Sequence, residues 1–123
     1  MKPTQPDYNA TLEAVRILLT MPNQFKALGF SEVEKGKTDM SSDEAIHKGT
    51  GFRSEQKFHR ESLGGVPTLD LHVQEWAKGY HVMVNSSPYD SRYHRNTPSP
   101  IPLADVVRQV QQYIGEVTAN PSQ

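Results

Sequence analysis

Residues 51–85 read GFRSEQKFHRESLGGVPTLDLHVQEWAKGYHVMVN, and the pairing register of this stretch decides the fold. Gly64-Gly65 is a two-residue hairpin signal, because glycine reaches the positive φ values that primed turns require. With these two as the turn, Leu63 faces Val66, Phe58 faces Leu71 and His59 faces Asp70. A second turn at Ala77-Lys78, closed by Trp76 and Gly79, sets Val73 opposite Val82 and Leu71 opposite Val84. Strand side chains alternate between faces, so the two registers test one another. They agree. Phe58, Leu69, Leu71, Val73, Tyr80, Val82 and Val84 fall on one face, and Lys57, His59, Asp70, His72, Gln74, His81, Met83 and Asn85 on the other.

The first of these strands is polar on both faces from Arg53 to Lys57 and reads as an edge. Pro67 fits the first residues of the second strand. A small meander is marginal in water until its apolar face is covered, and two flanking segments have the pattern to cover it. Asp7 or Asn9 caps a helix to about Thr20, with Tyr8, Leu12, Val15, Leu18 and Leu19 as its apolar stripe. Pro22 is expected to interrupt it and to begin a short second helix through Asn23, Phe25 and Leu28, closed by Gly29. At the other end Pro102 opens a helix in which Leu103, Val106, Val107, Val110, Tyr113, Ile114 and Val117 keep helical spacing, with Gly115 fraying its end.

The remaining segments are weaker signals. Phe30 to Glu34 is expected as a brief strand, and Ser41 to Glu44 can cap a short helix through Ile46 and Lys48. Residues 1–7 and 118–123 read as frayed tails, and residues 86–102 as a long loop rich in proline, serine, charge and aromatics. The expected fold is a single α+β domain over 1–123. It is a two-layer sandwich, with a three- to four-stranded antiparallel meander and the N-terminal and C-terminal helices packed on one face. The edge at Tyr80 to Asn85 carries no charge beyond any on His81. It needs cover from Phe30–Glu34, which keeps the chain a monomer, or from a second copy in an edge-paired homodimer.

Composition removes several function classes. A net charge of −1 gives no whole-molecule attraction to nucleic acid or anionic membrane. The absence of cysteine excludes disulfides, thiolate nucleophiles and cysteine-containing zinc sites. No apolar run approaches a membrane span and the start does not open a signal peptide, so a soluble, cytoplasmic protein is expected. Phosphate-loop, nucleophile-elbow, zinc-protease and dinucleotide fingerprints are all missing.

The five histidines are the most unusual feature of the composition. His59, His72 and His81 share the open face, with Asp70 across from His59, so His59, Asp70 and His72 are the candidates for acid–base chemistry. Zinc ligands must converge on one point about 2 Å away, and these rings are spread diagonally, so neither a metal nor another cofactor is expected. The loop Tyr89-Asp90-Ser91-Arg92-Tyr93-His94-Arg95-Asn96 mixes cations and aromatics. Such a mixture suits a protein interface, and also phosphate contact with base stacking. Trp76, His81 and Met83 together with Tyr89, Arg92, Tyr93, His94 and Arg95 are the candidate binding residues. The leading expectation is a small non-enzymatic binding protein, such as an adaptor, inhibitor or immunity-type partner of another protein. The alternative is a binder of RNA or single-stranded DNA, or a metal-independent ribonuclease-like enzyme. It would use His59, Arg60, His72 and the arginines and tyrosines of residues 88–96.

Overall fold

The computed structural model describes residues 4–33, 48 and 51–119, with side chains from residue 9 onward. In chain order these form helix α1 (Thr4–Lys26), strands β1 (Ser31–Glu32), β2 (Phe52–Arg60), β3 (Thr68–Trp76) and β4 (Gly79–Ser87), a 3-10 turn at Ser91–Tyr93, β5 (Arg95–Asn96) and helix α2 (Leu103–Ala119). The sheet is antiparallel in the order β1-β2-β3-β4-β5, with both helices on one face, an α+β two-layer fold. The expected helix at Ser41–Lys48 lies outside the described residues except for Lys48. No helix among the described residues is long and apolar enough to cross a membrane.

The meander forms in the register read from its turns. Phe58 pairs with Leu71, His59 with Asp70, Val73 with Val82, and Leu71 with Val84. Gly64 and Gly65 adopt φ of 59° and 84°, and Leu63 and Val66 bridge across them. Phe58, Leu69, Leu71, Val73, Val82 and Val84 are all buried, and they meet Val106, Val110, Tyr113, Ile114 and Val117 of α2 in one core. Gly79 is required by a close approach. Its φ is 147°, and a Cβ there would stand 2.8 Å from the Ile101 carbonyl oxygen.

Several expectations give way to longer-range contacts. The segment 86–102 is structured: its second half runs along β4. Asn96 pairs with Met83 and Arg95 with Val84, Thr97 N–H donates to Val82 O at 3.1 Å, and Tyr80 and Ile101 exchange two backbone bonds of 2.8 Å. The β4 edge is therefore paired from within the chain at Tyr80 and from Val82 to Val84, by residues 95–101 and not by Phe30–Glu34. The strand after α1 goes to the opposite side of the sheet, where Ser31 pairs with His59 and Glu32 with Phe58. β2 is consequently an edge strand only along its N-terminal part, among the described residues.

The helices differ from expectation as well. α1 begins at Thr4, inside the supposed tail, and continues through Pro22 to Lys26. A helix-interior proline forfeits one backbone bond and costs about 3 kcal/mol. Met21 and Phe25, one on each side of it, are both fully buried, and they share a face only while the helix is continuous. The row expected to cover the sheet is instead exposed, with Leu12 at 48%, Val15 at 47%, Leu18 at 37% and Leu19 at 74%. α2 passes Gly115 without fraying and includes Thr118 and Ala119, which shortens the supposed C-terminal tail.

Candidate functional site

Alternation in β2, β3 and β4 sends every second side chain away from the helices, and these polar groups interlock on the open face. His59 Nδ1 lies 2.9 Å from Asp70 Oδ1 and its Nε2 lies 3.1 Å from Glu61 Oε2. The bond to Asp70 first, and that to Glu61 next, raise the His59 pKa above 6.5. With both ring nitrogens donating to carboxylates, the imidazolium has no lone pair with which to accept a proton. The pair expected from the register is formed, and its geometry suits structure better than general-base chemistry. His72 turns to a different carboxylate, donating from Nδ1 to Glu55 at 3.2 Å, while Gln74 donates to the same oxygen at 2.7 Å. Glu55 was missed from sequence because β2 is polar on both faces, so nothing in its pattern singles out one acid. No group of three or more histidine and acidic side chains among the described residues could hold a metal ion.

Trp76 and His81 come together where β3 turns into β4. Their rings meet edge to face, with centroids 5.0 Å apart. The indole N–H donates to Gln74 Oε1 at 3.0 Å, and His81 Nδ1 stands 3.0 Å from Oγ1 and 3.3 Å from the carbonyl oxygen of the buried Thr97. These two rings line a cavity of about 260 Å³ with Lys48, Ala77, Lys78 and Pro100. Met83, also expected to bind, lies half-buried between His72 and Asn96 and does not line this cavity.

The loop residues separate. Tyr93 is buried in the core and anchors the loop, whereas Tyr89 is exposed. Arg92 clamps Asp90 through Nε and Nη2, the latter at 2.7 Å, and these bonds hold the Asp90 carboxyl below its usual pKa. His94 bonds Asn85 through Nδ1, and Arg95 donates to Glu116 at 2.8 Å, which lowers the pKa of that acid. A shallow groove of about 530 Å³ runs between this loop and the Gly64-Gly65 turn, lined by Leu63, Pro67, Tyr89 and Arg92 among others. His59 and His72 line neither hollow. Arg60 is buried on the helix side and donates to Leu28 O at 3.4 Å, so it is withdrawn from any ligand on the open face.

Comparison with protein families, with characterised proteins and with solved structures finds no match to this chain.

Proposed function

We propose that the chain is a small non-enzymatic binding protein that holds a protein partner through the exposed row on α1. The observation that carries this reading is that Leu12, Val15, Leu18 and Leu19 stand in solvent on consecutive turns of one helix. Exposed apolar side chains scattered singly need no explanation, but a contiguous row favours an occupant that takes it out of water. The occupant we favour is an amphipathic helix. Leu12, Val15 and Leu19 are three and four residues apart, the spacing with which one helix seats another. A lipid surface fits less well, because the row is flanked by a strip of Asn9, Glu13, Arg16, Thr20 and Gln24, whose charges cancel.

The nucleic-acid reading is weakened by the state of the arginines. Arg16, Arg53, Arg92, Arg95 and Arg108 each lie within ion-pair distance of a carboxylate, and Arg60 is buried. A phosphate backbone would have to compete for each of the five.

Site-directed photo-cross-linking tests the proposal. A photoreactive residue placed at Leu19 or Leu12 should give a discrete protein adduct in cells, and one at Glu13, about 100° round the helix from Leu12, should not. Equal labelling at all three positions, or none at Leu19 and Leu12, would refute it. Sedimentation of the purified chain then tells whether the adduct is a second copy: a wild-type dimer that Leu19→Glu converts to monomer identifies the partner as the chain itself.

A further inference from the structure

At the end of the sheet where β2 turns back into β3, we infer that the groove between the Gly64-Gly65 turn and the loop at residues 88–93 binds a proline-rich segment of another protein in the polyproline conformation. The groove shares no residue with the α1 row. Leu63 and Tyr89, two of the large apolar side chains left in solvent, belong to its two walls, and Val66, Pro67, Pro88 and Tyr93 extend the apolar lining. Polyproline segments dock in grooves of this kind, lined by aromatic rings.

The polar groups decide between occupants. Proline has no N–H and a polyproline helix makes no internal hydrogen bonds, so such a segment offers carbonyl oxygens and is complemented by donors. Donors are what the lining has to spare. The N–H groups of Gly64 and Gly65 and the hydroxyls of Ser62 and Tyr89 make no hydrogen bond with any described residue. The one carboxylate in the lining is already engaged: Asp90 Oδ1 accepts from the Arg92 backbone N–H at 3.0 Å and Oδ2 from Arg92 Nη2 at 2.7 Å, which leaves Nη1 as a further donor. Since Asp90 and Arg92 neutralise each other, a phosphorylated or strongly charged ligand finds no unpaired charge there. A strand-forming peptide is no better suited, because Leu63 and Val66 spend their backbone N–H and C=O groups on one another.

Both walls are held in place. The Leu63–Val66 bonds of 2.9 and 3.0 Å fix the turn, while the Asp90–Arg92 clamp, the 2.9 Å bond from Ser86 Oγ to Pro88 O and the burial of Tyr93 fix the loop. A rigid groove and a stiff ligand lose little freedom on meeting, which favours affinity. At about 530 Å³ the volume lies within the range of roughly 300–1,000 Å³ usual for ligand sites, and a few consecutive residues fill it.

NMR titration of the isotope-labelled protein tests the assignment. The probe is acetylated decaproline amide, which is neutral and carries no backbone N–H within its proline run; a glycine–serine decamer and an amphipathic leucine–lysine helical peptide serve as comparisons. The expected result is a saturable shift of the Gly64 and Gly65 amide resonances with decaproline and none with the glycine–serine decamer. Tyr89→Ala should weaken decaproline about tenfold, while Lys57→Gln, outside the groove on the open sheet face, should leave it unchanged. Absence of saturation, a Tyr89→Ala titration that overlays the wild type, or tighter binding of either comparison peptide at these amides would overturn the assignment. The Trp76 indole N–H resonance, from a side chain outside the groove, shows whether each variant is folded and so separates loss of binding from loss of fold.

Discussion

The two helices carry apolar rows that look alike in sequence and finish in opposite surroundings. α2 sinks Val106, Val110, Tyr113, Ile114 and Val117 into the core, whereas α1 leaves Leu12, Val15, Leu18 and Leu19 in water and, among its described side chains, buries only Met21 and Phe25 completely. Amphipathic spacing says that a helix has a face to bury; it does not say against what. Here α2 and the last turns of α1 have already filled the apolar face of the sheet. The earlier turns of α1 carry a second row that no part of the described fold buries. This difference between a row used for folding and a row left available is the basis of the proposed partner surface.

The largest expected effect comes from Phe25, whose ring packs edge-on against Phe58 with centroids 4.9 Å apart. Phe25→Ala should lower the unfolding free energy by about 3–5 kcal/mol, the usual result of emptying a buried aromatic site. Urea denaturation would read it. A loss below about 1 kcal/mol would mean that the end of α1 is no better anchored than its beginning, and the contrast between the two rows would fail.

Pro22→Ala comes next and has the opposite sign. It restores a donor within α1 and relieves the clash of the ring with the preceding turn. Removing an interior helical proline gains up to about 3 kcal/mol, offset by about 1 kcal/mol from the freer unfolded chain. A rise of about 2 kcal/mol in the same denaturation assay is expected. A destabilised variant would show that the fold depends on the proline and that α1 is not one ordinary helix.

Leu19→Ala should change the stability of the isolated chain by less than about 0.5 kcal/mol, because its side chain is already in water. A loss near that of Phe25→Ala would mean that the row is covered in the free protein. The comparison would then need to be redrawn.

The open sheet face should show a small effect that depends on pH. His59 has a raised pKa in the folded state, so its contribution is fully present below the unfolded value of about 6.5 and is lost as pH rises through the folded value. The stability gap between wild type and His59→Gln should therefore be larger at pH 5.5 than at pH 8.5. The side chain is 40% exposed, so solvent screening keeps the gap below about 1 kcal/mol. A gap that widens with pH would show that His59 is held neutral rather than as the imidazolium.

Much of the candidate site was readable before any coordinates. Asp70 faces His59 because the Gly64-Gly65 turn sets their register, and Trp76 and His81 share a face because the Ala77-Lys78 turn sets theirs. The cavity beside them was not readable, since Lys48 and Pro100 arrive from segments far away in the chain. Nor was the withdrawal of the arginines. Arg95 finds Glu116 across the fold, and Tyr93, in a stretch that resembles an exposed recognition loop, is drawn into the core.

Local chemistry sufficed for the meander. Its turns permit one register, and a slip of one residue would carry Leu71, Val73, Val82 and Val84 from the core into water. Local chemistry did not suffice wherever two segments competed for one surface. Phe30–Glu34 was the expected cover for the β4 edge within the chain; residues 95–101 took that edge, and Ser31–Glu32 went to β2. Pro22 ought to break a helix, and burial on both sides of it holds the helix together. Such outcomes depend on which contact removes more apolar area or satisfies more backbone groups once the whole chain has closed, a sum that no window of sequence contains.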